Sequence, residues 1–274
     1  MTLPESAERP LRRILVALDA SPASLAALET AAALASRLGA ELEGLFVEDV
    51  NLLRAAALPF VGQLSLPGGA ALSQATFTAS IRALGERARS ALAHVASTRS
   101  VRSTFRMARG RVEVEVLGAA VAADLLVLGR PRGVLGGRPG ITATAVATRA
   151  APPVLILGVS ARGRPLLVAW DGSAGAAIAL RLAGRLSAAG AGPLGLVVAA
   201  AGPREAEYLA AAAKSQAGMP LPWRWAGGSA PGDLRRAVRA DAILVVGVSS
   251  PLAGGPGGLE RLLAEARGPV LLAR

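Results

Sequence analysis

At 274 residues with 52 % hydrophobic content, the chain can bury a substantial core, as one large domain or two ordinary ones. It has no cysteine, which excludes a disulfide framework, a thiolate metal site and a thiol nucleophile. The +11 net charge is almost all arginine (Lys214 is the one lysine), splits as +5 and +6 between residues 1–160 and 161–274, and comes with 3 % aromatics, so nucleic acid is not an expected partner.

The first residues, "MTLPESAERPLRR", carry no apolar h-region. No apolar run approaches the ~18 residues of a membrane helix, so no membrane span and a cytoplasmic location are the expectations. Strands are expected at 12–18, 42–47, 101–107, 124–129 and 153–158, with helices at 22–38, 72–97, 111–122 and 141–150 between them. On the long second helix Ile81, Leu84, Ala88, Leu92 and Val95 recur at helical spacing, which assigns them to the core. The segment 48–80 is too apolar for a free linker, yet Pro59, Pro67, Gly68 and Gly69 break it. It is expected to form either a partly helical flap over a crevice or a self-association surface of a homodimer. Further strands are expected at 165–170, 194–199, 221–226, 242–247 and 269–273.

The runs "ILVAL", "LLVLG" and "PVLIL" lack strict alternation, as suits strands covered on both faces. Strands alternating with helices imply an α/β fold with parallel sheets.

The chain also repeats itself. "RRILVALDAS" overlays "RPLLVAWDGS" at an offset of 152, "LLVLG" overlays "LVVG" at 118, and "PVLIL" overlays "PVLLA" at 116. The order is the same in both copies, which indicates a duplicated domain, 1–160 and 161–274, the second shorter and more degenerate. The final strands of the two halves are expected to neighbour across a pseudo-twofold axis, an intrachain pseudo-dimer, with each half keeping its own sheet and no continuous sheet joining them.

Asp19 and Asp171 fall where the first strand of each half ends. In open α/β sheets ligands collect beyond the carboxyl ends of strands, where the strand order reverses. Two readings stand side by side: each aspartate caps the helix that follows, or each belongs to a ligand corner.

These features resemble the universal stress protein family, specifically its tandem two-domain members. The resemblance rests on "ILVALDASPAS", a first strand ending in Asp before a Ser-bearing helix start, and on "AADLLVLG" running through a Gly-rich loop and a helix into "APPVLIL". It implies two Rossmann-like, adenine nucleotide alpha hydrolase-like domains, each with a five-stranded parallel sheet. It also implies a stress-response role, with ATP bound by some members. The ATP-binding branch carries G-x-x-G-x9-G-[ST], in which glycines let backbone N–H groups wrap phosphate and the last pair opens a helix.

The matching loop is "GRPRGVLGGRPGIT", Gly129 to Thr142. Arg132 stands at the second glycine position, with Gly133 one residue later. Gly140 is the closing glycine, two residues early, and Thr142 replaces the missing hydroxyl of Ile141. Asp19, Val47, Gly129, Arg130, Arg132, Gly133, Gly140 and Thr142 are therefore the candidate nucleotide-binding residues, with Val47 lining the base by analogy and the arginines, Arg138 included, facing phosphates. The competing reading is a solvent loop with surface charge.

The second loop, "GVSSPLAGGPGGLE", has Ser250 at the second glycine position and no basic residue, so this half is expected to be a structural partner. Glu48 and Asp49 follow the second strand, where a Mg²⁺ accompanying ATP would sit, or are simply solvated. His94 is the only histidine, which leaves no support for a His-dependent triad, and the S-G-G-x-D-S loop of nucleotide-activating enzymes is absent. No catalytic constellation emerges. An adenine-nucleotide-binding stress protein and a nucleotide-free stress-response interaction module are the two main readings, and nucleotide hydrolysis is a third.

Overall fold

The computed structural model describes residues 10–56, 74–130, 141–158, 160–255 and 257–274. In the first half, β1 (Arg13–Leu18), α1 (Pro22–Leu38), β2 (Glu41–Asp49), α2 (Val50–Ala56), α3 (Gln74–Thr98), β3 (Ser103–Gly110), α4 (Val112–Ala120), β4 (Leu125–Gly129), α5 (Ile141–Arg149) and β5 (Val154–Leu157) follow one another. The second half runs β6 (Leu166–Trp170), α6 (Ala174–Ala188), β7 (Leu194–Val198), α7 (Pro203–Ala217), β8 (Trp223–Trp225), α8 (Pro231–Ala237), β9 (Ile243–Gly247), α9 (Gly258–Glu265) and β10 (Val270–Ala273), with a 3-10 turn at Pro251–Ala253 before α9.

The strand order is β3-β2-β1-β4-β5-β10-β9-β6-β7-β8. Strands within each half are parallel, and β5 pairs with β10 antiparallel, Leu271 opposite Leu155. The final strands do neighbour as expected, and the order reads the same outward in both directions from this pair. One expectation is corrected: the two halves do not keep separate sheets but form one continuous ten-stranded sheet. The cause is that β5 and β10 would otherwise be edge strands, each with a row of unpaired backbone groups flanked by apolar side chains. Pairing them satisfies both rows at once. Because the pairing is antiparallel, the carboxyl ends of the strands in the two halves point to opposite edges of the sheet.

Uninterrupted apolar runs have the meaning expected of them. On one face Ile14, Val16 and Leu18 pack with α1, α3, α6 and α7 in a core that passes through both halves. On the other, Leu15, Leu126 and Leu128 pack with α4, α5, α8 and α9. Small residues on α1 (Ala27, Ala31 and Ala35, all fully buried) let that helix lie close to the sheet.

The inward stripe of α3 differs from the expected one at one turn. Ile81, Ala88, Leu92 and Val95 are buried, but Leu84 is 36 % exposed and Gly85 takes its place. A Cβ at Gly85 would lie 3.3 Å from Phe46 and would overlap the tip of Met107, so those two large side chains fill the space instead. Of the segment 48–80, α2 packs on α3 and β2, and residues 57–73, where the flap or self-association surface was expected, lie outside the described residues. Trp223 and Trp225 share one face of β8, Trp223 against the core and Trp225 donating its indole N–H to the Ala200 carbonyl at 3.0 Å. No helix among the described residues is long and apolar enough to cross a membrane.

Candidate nucleotide-binding crevice

The order of the first half reverses between β1 and β4, and beyond their carboxyl ends lies a cavity of about 300 Å³. Val47 from β2, Val112 and Val116 from α4, and Ala143 and Val146 from α5 form its apolar walls. Asp19, Ser24 and Gly129 complete it at the strand ends. Among the described lining residues Asp19 is the only charged one. Its size sits at the lower end of small-molecule sites, which suits one planar ring system.

The turn carrying Asp19 ties one of its two carboxylate oxygens to the start of α1. Ser21, not Asp19, is the N-cap of α1, its hydroxyl accepting from Ser24 N–H at 3.2 Å. Asp19 acts one step earlier, Oδ1 accepting from Ser21 N–H at 2.9 Å. Between them Ala20 is held at φ 60°, a left-handed conformation that costs a non-glycine residue about 1–2 kcal/mol. The second half repeats this turn with Gly172 at φ 77°, Ser173 as the cap, and Asp171 Oδ1 accepting from Ser173 N–H at 3.0 Å.

The other carboxylate oxygen separates the halves. Asp19 Oδ2 accepts no hydrogen bond from any described residue. Asp171 Oδ2 accepts from the Ser250 hydroxyl at 2.7 Å, and that hydroxyl also accepts from Leu252 N–H at 3.1 Å, capping the 3-10 turn. Ser250 is 3 % exposed, and Leu252 and Ala253 of the turn join the core beside Leu234 of α8. The second loop therefore supplies a partner from within the chain for the aspartate of its own half. Ser250→Ala would leave Asp171 with an unpaired, half-buried oxygen and is expected to cost about 1–3 kcal/mol in urea denaturation. No change in the midpoint would show that this contact contributes nothing.

Gly129 has a packing role at this corner. A Cβ there would come 2.6 Å from Ser24 N and 2.8 Å from Ala23 C, so β4 ends directly against the first turn of α1. Gly247, its counterpart, lies closer still, and a methyl would overlap the Gly175 carbonyl. Gly247→Ala and Gly129→Ala are each expected to cost about 1–3 kcal/mol, Gly247→Ala the more, by calorimetric melting. Equal stability to the parent would mean that the strand ends yield freely.

Arg130, expected to face phosphate, is 7 % exposed, lines no part of this cavity, and donates from Nη1 to the Ala266 carbonyl of the second half at 2.7 Å. The reason is the junction: the carbonyls at the end of α9 lie beside the carboxyl end of β4 and lack intrahelical partners. Arg132, Gly133, Arg138 and Gly140 lie outside the described residues, as does the side chain of Thr142 in the first turn of α5. Asp49 Oδ1 accepts from Asn51 N–H at 2.8 Å where β2 enters α2, and the described residues contain no cluster of three metal-ligating side chains. His94 is exposed on α3.

A larger cavity, about 520 Å³, lies between α8 and α9 and includes Arg236, Arg239 and Arg267. Arg236 pairs with Asp233, and Arg239 with Asp241, whose carboxyl the bond from Arg239 holds below its ordinary pKa. The cavity wall includes the C-terminal end of α9, at Leu262, Glu265 and Ala266, where the helix dipole disfavours an anion. Size alone does not make it the site.

Sequence reasoning missed the Ser250–Asp171 bond, although Ser250 at a glycine position was its visible signal. It also missed Ala143 and Val146 as walls, which follow from α5 lying next to α4.

The family model of the universal stress protein family matches residues 10–158, more than half of the chain. No curated protein matches the sequence closely. Among solved structures, a universal stress protein of Archaeoglobus fulgidus DSM 4304 superposes with TM-score 0.66 at 16 % identity, covering 96 % of each chain. A functionally unknown protein of Pseudomonas aeruginosa PAO1 superposes at 0.61 with 12 % identity, over 98 % of this chain and 93 % of that one. The strand order, the aspartate at the end of β1 and the family match agree: this chain belongs to the universal stress protein family.

Proposed function

We propose that the chain is a stress-response protein whose first half binds the nucleoside part of an adenine nucleotide in the crevice between α4 and α5, one ligand per chain. The observation that carries this reading is the difference between the two aspartates. Asp19 keeps an oxygen available at the mouth of an apolar slot, whereas Asp171 is already occupied by Ser250. A planar, uncharged base suits walls of valine, leucine and alanine, and a sugar hydroxyl or ring amine is the natural donor to Asp19.

The residues present fit the base and sugar of ATP. With Arg130 committed to Ala266, its phosphates would depend on Arg132, Arg138 and the start of α5. A Mg²⁺ would then be held mainly by the phosphates, as that ion usually is. In the same proposal residues 1–160 and 161–274 are the two domains, and the second is the structural partner.

Acid precipitation of purified protein should release an adenine compound, and titration with adenosine should show saturable binding. Absence of both would favour a nucleotide-free interaction module in which Asp19 serves only the helix start. Turnover of labelled ATP above background would add hydrolysis to the role.

A further inference from the structure

Two arginines cross the junction in opposite directions. Arg130, which directly follows the crevice residue Gly129, donates to the Ala266 carbonyl, the C-cap of α9, at 2.7 Å. Arg274, which follows β10, donates from Nη2 to the Ala147 carbonyl in the last turn of α5 at 2.5 Å and from Nη1 to the Pro152 carbonyl at 3.3 Å. The last carbonyls of a helix have no partner in the helix, and a cation there also opposes the dipole. The repeat does not dictate these positions: at the offsets that align the halves, Arg130 matches Val248 and Arg274 matches Gly158. Each half thus supplies, from a different place, the cation that ends a helix of the other. Burial lowers the Arg274 pKa from its ordinary value, so the group sits partly desolvated where its hydrogen bonds are strongest.

The capped helix on the first-half side is a wall of the crevice. α5 contributes Ala143 and Val146 to it, packs on α9, and is tied to α4, the opposite wall, by an ion pair between Arg149 and Glu113. We propose that the second half positions the ligand crevice of the first, with Arg274 and Arg130 as reciprocal caps that hold α5 against α9. Arg274 is a positioning residue: it lines no part of the crevice. The effect on ligand rests on the crevice reading above, whereas the effect on α5 does not.

The test uses the full chain and two readouts. Hydrogen exchange of the α5 amides should be several-fold faster in Arg274→Gln, because local opening reports local contacts. Adenosine affinity should fall about three- to tenfold, the usual size of such indirect coupling. Arg274→Lys, which keeps the charge but not the fork across two carbonyls, should restore part of both. The control is Thr30→Val, which removes another bond across the junction, from Ala161 N–H to the Thr30 hydroxyl at 3.2 Å, on α1. It should leave α5 exchange unchanged. If Arg274→Gln speeds α5 exchange no more than Thr30→Val does, the proposal is overturned whatever adenosine does. If the parent binds no adenosine, the crevice reading fails and the exchange result still decides the caps.

Discussion

Calorimetric titration with adenosine is expected to give one site per chain, and Asp19→Ala to weaken it about ten- to a hundredfold, the usual cost of losing a hydrogen bond to a charged group. The site is a mostly apolar slot with one carboxylate, so little else in it can orient a polar ligand. Asp19→Ala also removes the bond to Ser21 N–H, and a weakened helix start could by itself lower affinity. Ser21→Ala separates the two effects, since it removes the α1 cap and leaves the carboxylate in place. It should reduce stability by about 1 kcal/mol and affinity far less than Asp19→Ala does. Asp171→Ala should leave adenosine binding unchanged and destabilise the second half, because its partner is Ser250. Two equal sites, or tight binding indifferent to Asp19→Ala, would reject the assignment.

Leu271→Ala is expected to cost about 2–5 kcal/mol in urea denaturation, the range for deleting a fully buried leucine side chain. Leu271 is fully buried and stands opposite Leu155, itself 2 % exposed, in the one antiparallel pair of the sheet. Both belong to the apolar layer shared with α1 and α6, so the cavity would open where the two halves meet. Since each apolar layer passes through both halves, the parent should unfold in a single transition. Two well-separated transitions, or a loss below about 1 kcal/mol, would mean that β5 and β10 join two independent units.

What the sequence determined by itself was whatever depends on neighbours along the chain. The central strands appeared as apolar runs because both faces of the sheet are covered there, and the helices as apolar positions three and four apart. The repeat equated Asp19 with Asp171 and Gly129 with Gly247, and the end of the first apolar run placed each aspartate at the carboxyl end of a strand. The tertiary structure decided what depends on which group arrives from elsewhere. β5 and β10 are short apolar runs, and nothing local says whether such a strand ends a sheet or continues it. Leu84 gave way to Gly85 because Phe46 and Met107 occupy the space that a side chain would need. Arg130 follows Gly129 in the chain, yet its guanidinium reaches Ala266, 136 residues away, because packing brings the end of α9, with carbonyls that have no partner in the helix, beside the end of β4. Asp19 and Asp171 occupy the same turn, and only the approach of Ser250, 79 residues from Asp171, gives the second oxygen of Asp171 a partner that Asp19 lacks among the described residues. Side-chain hydrogen bonds over such separations leave no periodic trace in a sequence, since they depend on how the chain packs after its local elements have formed.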